Sequence, residues 1–162
     1  MKIREVKEED SFALCELLNE IIVIGGTTAF EHKLEKREFE NYFVNGEKLV
    51  HSIVAIDQSE CLGFQCLSYH SELPSGWLDI ATFARARPKT VGVGTALFNC
   101  SLEYIRHTSF SYINATIRAD NKSGLAYYTK MGFKNYTITE NVPLSDGTLV
   151  DRISKKYQLN CD

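Results

Sequence analysis

The chain holds little from which a metal site, a disulfide framework or a membrane span could be built. Its five cysteines, Cys15, Cys61, Cys66, Cys100 and Cys161, are odd in number and contain no Cys-x-x-Cys pair. That pattern argues against disulfide scaffolding and against a zinc ribbon, and it suits a reducing compartment. The four histidines, His32, His51, His70 and His107, are scattered, with no two at helical metal-ligand spacing, so no metal is expected. No apolar run approaches the roughly 18 residues that cross a bilayer. The stretch from Met1 to Asp10 has no continuous apolar segment, so a secretory leader is not expected and a cytoplasmic location is. Positive charge is also in deficit: 18 basic against 21 acidic residues give a net charge of −3. The molecule as a whole therefore has no field to attract nucleic acid, and any polyanionic ligand needs a local cationic patch.

What remains is the composition of a globular domain, 44% hydrophobic and 24% charged over 162 residues. With no repeat, linker or low-complexity stretch, residues 1–162 read as one domain. Lys2 to Val6 alternates as a short strand. Asp10 or Ser11 is placed to cap a helix whose Leu14, Leu17, Leu18, Ile21 and Ile22 form one apolar stripe, ended by Gly25 and Gly26. A second helix is expected from about Leu34 to Phe43, burying Phe39, Tyr42 and Phe43, with Asn45-Gly46 as its stop. Leu49–Ile56 and Cys61–Tyr69 read as a hairpin, and Trp77–Arg85 as a further strand. A helix over about Thr95–His107, a strand over Tyr112–Arg118 and a short helix over Lys122–Met131 follow. Two β runs, Phe133–Thr139 and Thr148–Tyr157, flank the turn Ser145-Asp146-Gly147. The order β α α β β β α β α β β makes the fold class α+β.

The most informative segment is Lys89-Thr90-Val91-Gly92-Val93-Gly94-Thr95, which joins an alternating strand directly to an amphipathic helix. Glycine lets backbone approach a ligand closely. A helix start offers unpaired N–H groups and about half a positive charge, which together suit a diphosphate. Arg85, Arg87 and Lys89 gather positive charge beside it. A P-loop would end in Gly-Lys-Ser/Thr, and a dinucleotide fingerprint would have a small residue where Leu97 stands, so neither fits. A purely structural turn also explains the two glycines.

A second motif, Asn121-Lys122-Ser123-Gly124-Leu125-Ala126-Tyr127-Tyr128-Thr129-Lys130-Met131-Gly132-Phe133, follows the next strand. With it the chain resembles the GNAT superfamily of N-acetyltransferases. That family's acyl-CoA loop reads Gln/Arg-x-x-Gly-x-Gly/Ala, matched by Lys89, Gly92 and Gly94. Its later motif is matched by Asn121, Ala126, Tyr128, Lys130, Gly132 and Phe133, with Tyr128 one residue nearer Ala126 than in many members. Within the superfamily the chain is most similar to the phosphinothricin and methionine-sulfoximine acetyltransferase group, through Ile3-Arg4, Asn19, the loop Thr27–Phe30 and the carboxylate Asp79. The stretch from Tyr69 to Gly76 departs from that group.

The resemblance implies a mostly antiparallel sheet splayed at two parallel middle strands, Trp77–Arg85 and Tyr112–Arg118, after a bulge, with helices on both faces. It implies acetyl-CoA as cofactor, its diphosphate held by Lys89 to Thr95 and its pantetheine by backbone near Phe83 and Ala84. Asn121 and Tyr128 would meet the cofactor arm, although Asn121 also reads as an Asx cap. Thr28, Phe30, His70 and Trp77 would border the acceptor, a small-molecule primary amine or amino acid, with a protein amine as the alternative. Direct transfer in a ternary complex and a homodimer through the terminal strands are implied too.

Attack on a thioester needs a neutral amine, and an aliphatic ammonium has a reference pKa near ~10.4. A carboxylate can take its proton. Asp79 is the first candidate, because on an alternating strand it shares a face with Trp77, Ala81 and Phe83; Glu31, His70 and Glu72 are reserves. An ordinary edge aspartate is the plainer reading of Asp79, and a satisfied core hydroxyl that of Tyr128, the candidate proton donor to the departing thiolate. A non-catalytic acyl-CoA-binding module on the same fold is the main competing function. A phosphotransfer domain lacks its Lys-Ser/Thr and acidic metal cluster, and a purely structural domain would leave both motifs unused.

Overall fold

The structure, a computed structural model, describes residues 1–159, so Cys161 lies outside the described residues. Its elements follow the expected order: β1 (Lys2–Glu5), α1 (Ser11–Ile24), α2 (Lys36–Phe43), β2 (Leu49–Asp57), β3 (Glu60–Ser68), β4 (Trp77–Ala84), α3 (Val93–Ile105), β5 (Tyr112–Arg118), α4 (Lys122–Lys130), β6 (Lys134–Pro143) and β7 (Leu149–Gln158). The strands form one seven-stranded sheet in the order β1-β2-β3-β4-β5-β7-β6. Every neighbouring pair is antiparallel except β4 and β5, which run parallel. Among the described residues, no helix is long and apolar enough to cross a membrane.

Strand alternation divides the core between the two faces. On one face, Leu14 and Leu18 of α1 and Phe39 and Phe43 of α2 pack against Val54, Phe64 and Phe83. On the other, Leu97 meets Ile53 and Ala55, while Phe98 and Ile105 meet Leu78, Ile80 and Ile113. The stripe predicted for α1 is buried in full.

Helix ends differ from the sequence reading for local reasons. Leu34 is buried but not helical. The Asn19 side chain takes both its backbone groups, donating from Nδ2 to the carbonyl at 3.0 Å and accepting its N–H at 2.8 Å. The segment ahead of α2 is therefore pinned to α1 by one amide. Asp10 does not cap α1 with its side chain. Its carboxylate instead accepts two bonds from the Arg4 guanidinium, at 2.6 and 2.8 Å, and one from the Lys7 N–H. The Arg4 bond, against the cost of burial, holds the Asp10 pKa below the ordinary range. That contribution to stability is present at neutral pH and is lost as the pH falls through the lowered value. Tyr42, expected to be buried, is exposed, with its ring edge-on to Phe30 at 5.5 Å.

The feature that makes a site is the parting of β4 from β5. They pair only at Trp77–Tyr112, Leu78–Ile113 and Asp79–Asn114. Beyond that level β4 stays on β3 as far as Ala84–Gly63, and β5 stays on β7 as far as Arg118–Arg152. No bulge produces this, contrary to expectation, because the β3–β4 register runs without a shift from Ser68–Asp79 to Gly63–Ala84. Each strand has a second partner to hold it, so sheet twist can open the wedge without an extra residue.

Candidate active site

Gly92 stands at the start of α3 with a φ of +87°, in the left-handed region, and no side chain caps the helix. A β-carbon on Gly92 would meet nothing within 4 Å. The first helical N–H bond in this turn runs from Ala96 to the Gly92 carbonyl at 2.9 Å. The N–H groups of Val93, Gly94 and Thr95 thus lie ahead of the helical ladder, at the positive end of the helix. Val93 anchors the turn in the core, whereas Lys89, Thr90 and Val91 are exposed. Of the three cations expected beside the loop, Arg87 and Lys89 are exposed and Arg85 is drawn away. Its Nη1 lies 3.5 Å from Glu20 and its Nε donates to the Cys61 carbonyl at 3.2 Å.

The wedge opens into a cleft of about 770 Å³ bordered by Phe30, Asp79, Thr82, Phe83, Asn121 and Tyr128. Arg85 donates its N–H to the Leu62 carbonyl at 2.8 Å. By the two-residue alternation of an antiparallel ladder, the backbone groups of Phe83 then face β3 as well. Those of Ile80, Thr82 and Ala84 face the gap, where β5 no longer meets them. Phe83 is therefore a wall residue of the cleft, and the gap-facing backbone on either side of it belongs to Thr82 and Ala84.

Asp79 sits at the closed end of the wedge and accepts a hydrogen bond from Asn114 Nδ2 at 2.7 Å. Tyr136 donates to Asn114 Oδ1 at 2.6 Å, so a chain of bonds fixes the carboxylate from β5 and β6. Burial raises the Asp79 pKa against the opposing effect of the Asn114 bond. Tyr128 is buried and also borders the cleft, and its hydroxyl donates to Thr82 Oγ1 at 3.1 Å. Burial pushes its pKa above the ordinary tyrosine range, so the phenol keeps its proton at neutral pH. Thr82 accepts a second bond from Gln65 Nε2 at 2.8 Å, and Gln65 Oε1 accepts one from Ser101 at 2.7 Å. Tyr127 binds the glycine turn through its hydroxyl, which donates to the Gly94 carbonyl at 2.8 Å. Burial pushes its pKa up to about 12. Thr82, Gln65 and Asn114 are marked in the sequence only as polar residues among apolar ones, and Tyr127 lies within the second motif without being one of its matched positions.

Of the residues expected to face an acceptor, Thr28, Phe30 and His70 border the cleft. Trp77 does not. Its ring packs on Tyr112 at 4.7 Å and Tyr136 at 5.5 Å, with Lys156 Nζ 5.5 Å from its centre. Two reserve bases are also displaced. Glu31 accepts the Ser145 N–H at 2.9 Å and its hydroxyl at 2.7 Å, tying the loop after α1 to the β6–β7 turn. Glu72 is exposed and borders no part of the cleft. Asn121 caps α4, accepting the Gly124 N–H at 2.9 Å, and donates to the Thr27 carbonyl at 3.0 Å. One side chain thus joins the start of α4 to the loop bearing Thr28 and Phe30.

The acetyltransferase (GNAT) family matches residues 13–133, and the chain belongs to that family. The N-acetyltransferase from Staphylococcus aureus Mu50 superposes with a TM-score of 0.87, at 18% identity and 98% coverage of each chain. The ribosomal-protein-alanine N-acetyltransferase from Brucella melitensis gives 0.84 at 17% identity, covering 98% of this chain and 100% of the other. A GNAT superfamily phosphinothricin acetyltransferase from Sinorhizobium meliloti, in complex with AcCoA, also gives 0.84 at 16% identity, covering 98% and 88%. At such identities the fold is what is shared. No curated protein matches the sequence.

Proposed function

Taking membership of the GNAT family as premise, we propose that this enzyme moves an acetyl group from acetyl-CoA to a compact primary amine, by direct attack within a ternary complex. The observation that carries the reading is the wedge itself. It places Asp79 and Tyr128 on one cleft, beside the strand that leads to the uncapped start of α3.

The residues present fit the cofactor. The open Gly92 position and the first-turn N–H groups suit a diphosphate. Arg87 and Lys89 supply the local positive charge that an acidic protein needs. The gap-facing backbone of Thr82 and Ala84 offers donors and acceptors for the pantetheine amides. Acetyl-CoA supplies an activated acyl group as its thioester. The protein's task is to bind, align and move protons. Asp79 takes a proton from the incoming ammonium, directly or through a water. A gap-facing N–H of β4 is placed to hold negative charge developing on oxygen. Tyr128 retains its proton and donates toward the departing sulfur after releasing Thr82.

Phosphinothricin and ribosomal-protein alanine, in the names of the related structures, are both amines, so the shared fold leaves the acceptor open. Calorimetric titration with acetyl-CoA, with ATP and ADP as controls, tests the cofactor. Micromolar affinity, about −8 kcal/mol, is expected for acetyl-CoA alone. Release of free CoA with an amine panel then tests transfer. Binding without transfer to any amine would reduce the protein to an acyl-CoA-binding module, and no heat with millimolar acetyl-CoA would overturn the reading.

Tyr128→Phe is expected to lower turnover tenfold to a hundredfold, about 1.4–2.8 kcal/mol of barrier, because a thiolate is already a fair leaving group. Acetyl-CoA affinity should be unchanged by calorimetry. Full turnover at saturating substrates would remove Tyr128 from the chemistry.

A further inference from the structure

We propose that the acceptor carries an anionic group of carboxylate type, held by Arg152 at the open end of the cleft. This rests on the acyl-transfer reading and adds the chemical class of the acceptor to it.

Arg118 and Arg152 stand opposite each other across β5 and β7, and both border the cleft. Two guanidinium groups at one register position repel unless each has an anion. Arg118 has one: Asp120 accepts from its Nε at 2.9 Å and from its Nη2 at 2.7 Å. Arg152 makes no ion pair among the described residues, and its Nη1 is shut from solvent without an acceptor. The acids with an electrostatic effect on Arg152, Asp120 and Glu31, are engaged elsewhere, by Arg118 and by Ser145. Burial and the Arg118 charge lower the Arg152 pKa, but a guanidinium remains charged at neutral pH. Leaving a part-buried cation without a partner is costly. In a protein of net charge −3, a pair of arginines on the floor of a cleft suits an anion brought by the ligand.

Placement argues against the cofactor as the source of that anion. Arg118 and Arg152 lie on the same sheet face as Asp79 and Asn114, by register and alternation along β5. That is the face covered by α1 and α2 and by the loop bearing Thr28 and Phe30, whereas α3 packs on the other face. Asp79 is level with Asn114, four residues before Arg118, or about 13 Å of strand. A long arginine side chain covers part of that span. The geometry favours an anion several bonds from the amine.

The test uses glycine, γ-aminobutyrate, 6-aminohexanoate and glutamate, each beside its carboxamide, on the wild type and Arg152→Gln. The expected result is a wild-type preference for the carboxylate of at least about tenfold in kcat/KM for one or more pairs, expressed mainly in KM. Arg152→Gln should abolish the preference, Arg152→Lys should retain part of it, and acetyl-CoA affinity should hold in both. A second readout needs no turnover: in the presence of CoA, the preferred carboxylate should raise the melting temperature of the wild type but not of Arg152→Gln. Such a shift without transfer would keep the anion site and remove the acyl-transfer reading. Transfer with no carboxylate preference, or with a preference that survives Arg152→Gln, would overturn the anion site and keep the reading. Weakened acetyl-CoA binding in Arg152→Gln would assign the arginine to the cofactor and overturn the proposal. If Arg152→Gln does not fold, Arg152→Lys gives the same comparison with a charge of different reach.

Discussion

Gly94→Glu is expected to lower acetyl-CoA affinity at least about 100-fold, close to 2.7 kcal/mol, while leaving the protein folded. Two effects act together. A β-carbon on Gly94 would lie 2.7 Å from Tyr127 Cε2 and 3.1 Å from Cζ. That ring is held in place: its hydroxyl donates to the Gly94 carbonyl at 2.8 Å and its edge packs on Tyr128 at 4.8 Å. It can yield only by shifting the hydroxyl that fixes the turn. The added carboxylate then stands in the first turn of α3, where an acid favours the helix but repels a bound diphosphate. The charge therefore acts on folding and binding in different directions while the clash weighs on both, and a thermal melt beside the calorimetric titration separates them. Gly94→Ala carries the steric part alone and should lose less. Undiminished affinity in Gly94→Glu would move the diphosphate site away from α3.

The parts of this protein that were legible in the sequence are those whose physics is local. The α1 stripe, the hairpin of β2 and β3 and the glycine turn each depend on neighbours a few residues away, and periodicity exposes such relations. The two cleft residues named for chemistry, Asp79 and Tyr128, were reachable because one lies on an alternating strand and the other in a recognisable motif. What escaped depends on pairing between distant segments. Whether Phe83 or Thr82 turns its backbone to the gap is a matter of β3–β4 register, set by bonds such as Arg85 to Leu62. Arg85 looked like part of a cationic patch until α1 brought Glu20 to it. Trp77 shares the strand face of Asp79, yet it is taken up by Tyr112 and Tyr136 from β5 and β6. Arg152 carried no signal at all, because its meaning lies in facing Arg118 across a ladder formed 34 positions along the chain. The wedge was expected through resemblance with a bulge as its cause; the register shows that two strands with separate second partners need none.

Asp79→Asn is expected to cut turnover at pH 7 by about 10²–10⁴-fold, the range for loss of a positioned general base. Asparagine keeps the size and can still accept from Asn114 Nδ2, so the cleft should retain its shape. The wild type should show an acidic limb in kcat/KM above the ordinary carboxylate range, because burial raises the Asp79 pKa and the base works only when ionised. That limb should vanish in Asp79→Asn. The variant's rate should instead climb with pH as the free amine, with a reference pKa near ~10.4, forms in solution without help. Stability supplies an independent check with the opposite sign. A carboxyl whose folded pKa is raised binds its proton more tightly in the native state, so the wild type loses stability as the pH rises from the unfolded toward the folded pKa. Asp79→Asn escapes that loss and should melt at the same temperature as the wild type or higher at neutral pH, while being far less active. Such opposed changes mark a group kept for chemistry at the expense of the fold. Full turnover at pH 7 with the acidic limb intact would instead pass the role to another residue, His70 being the one reserve base that borders the cleft.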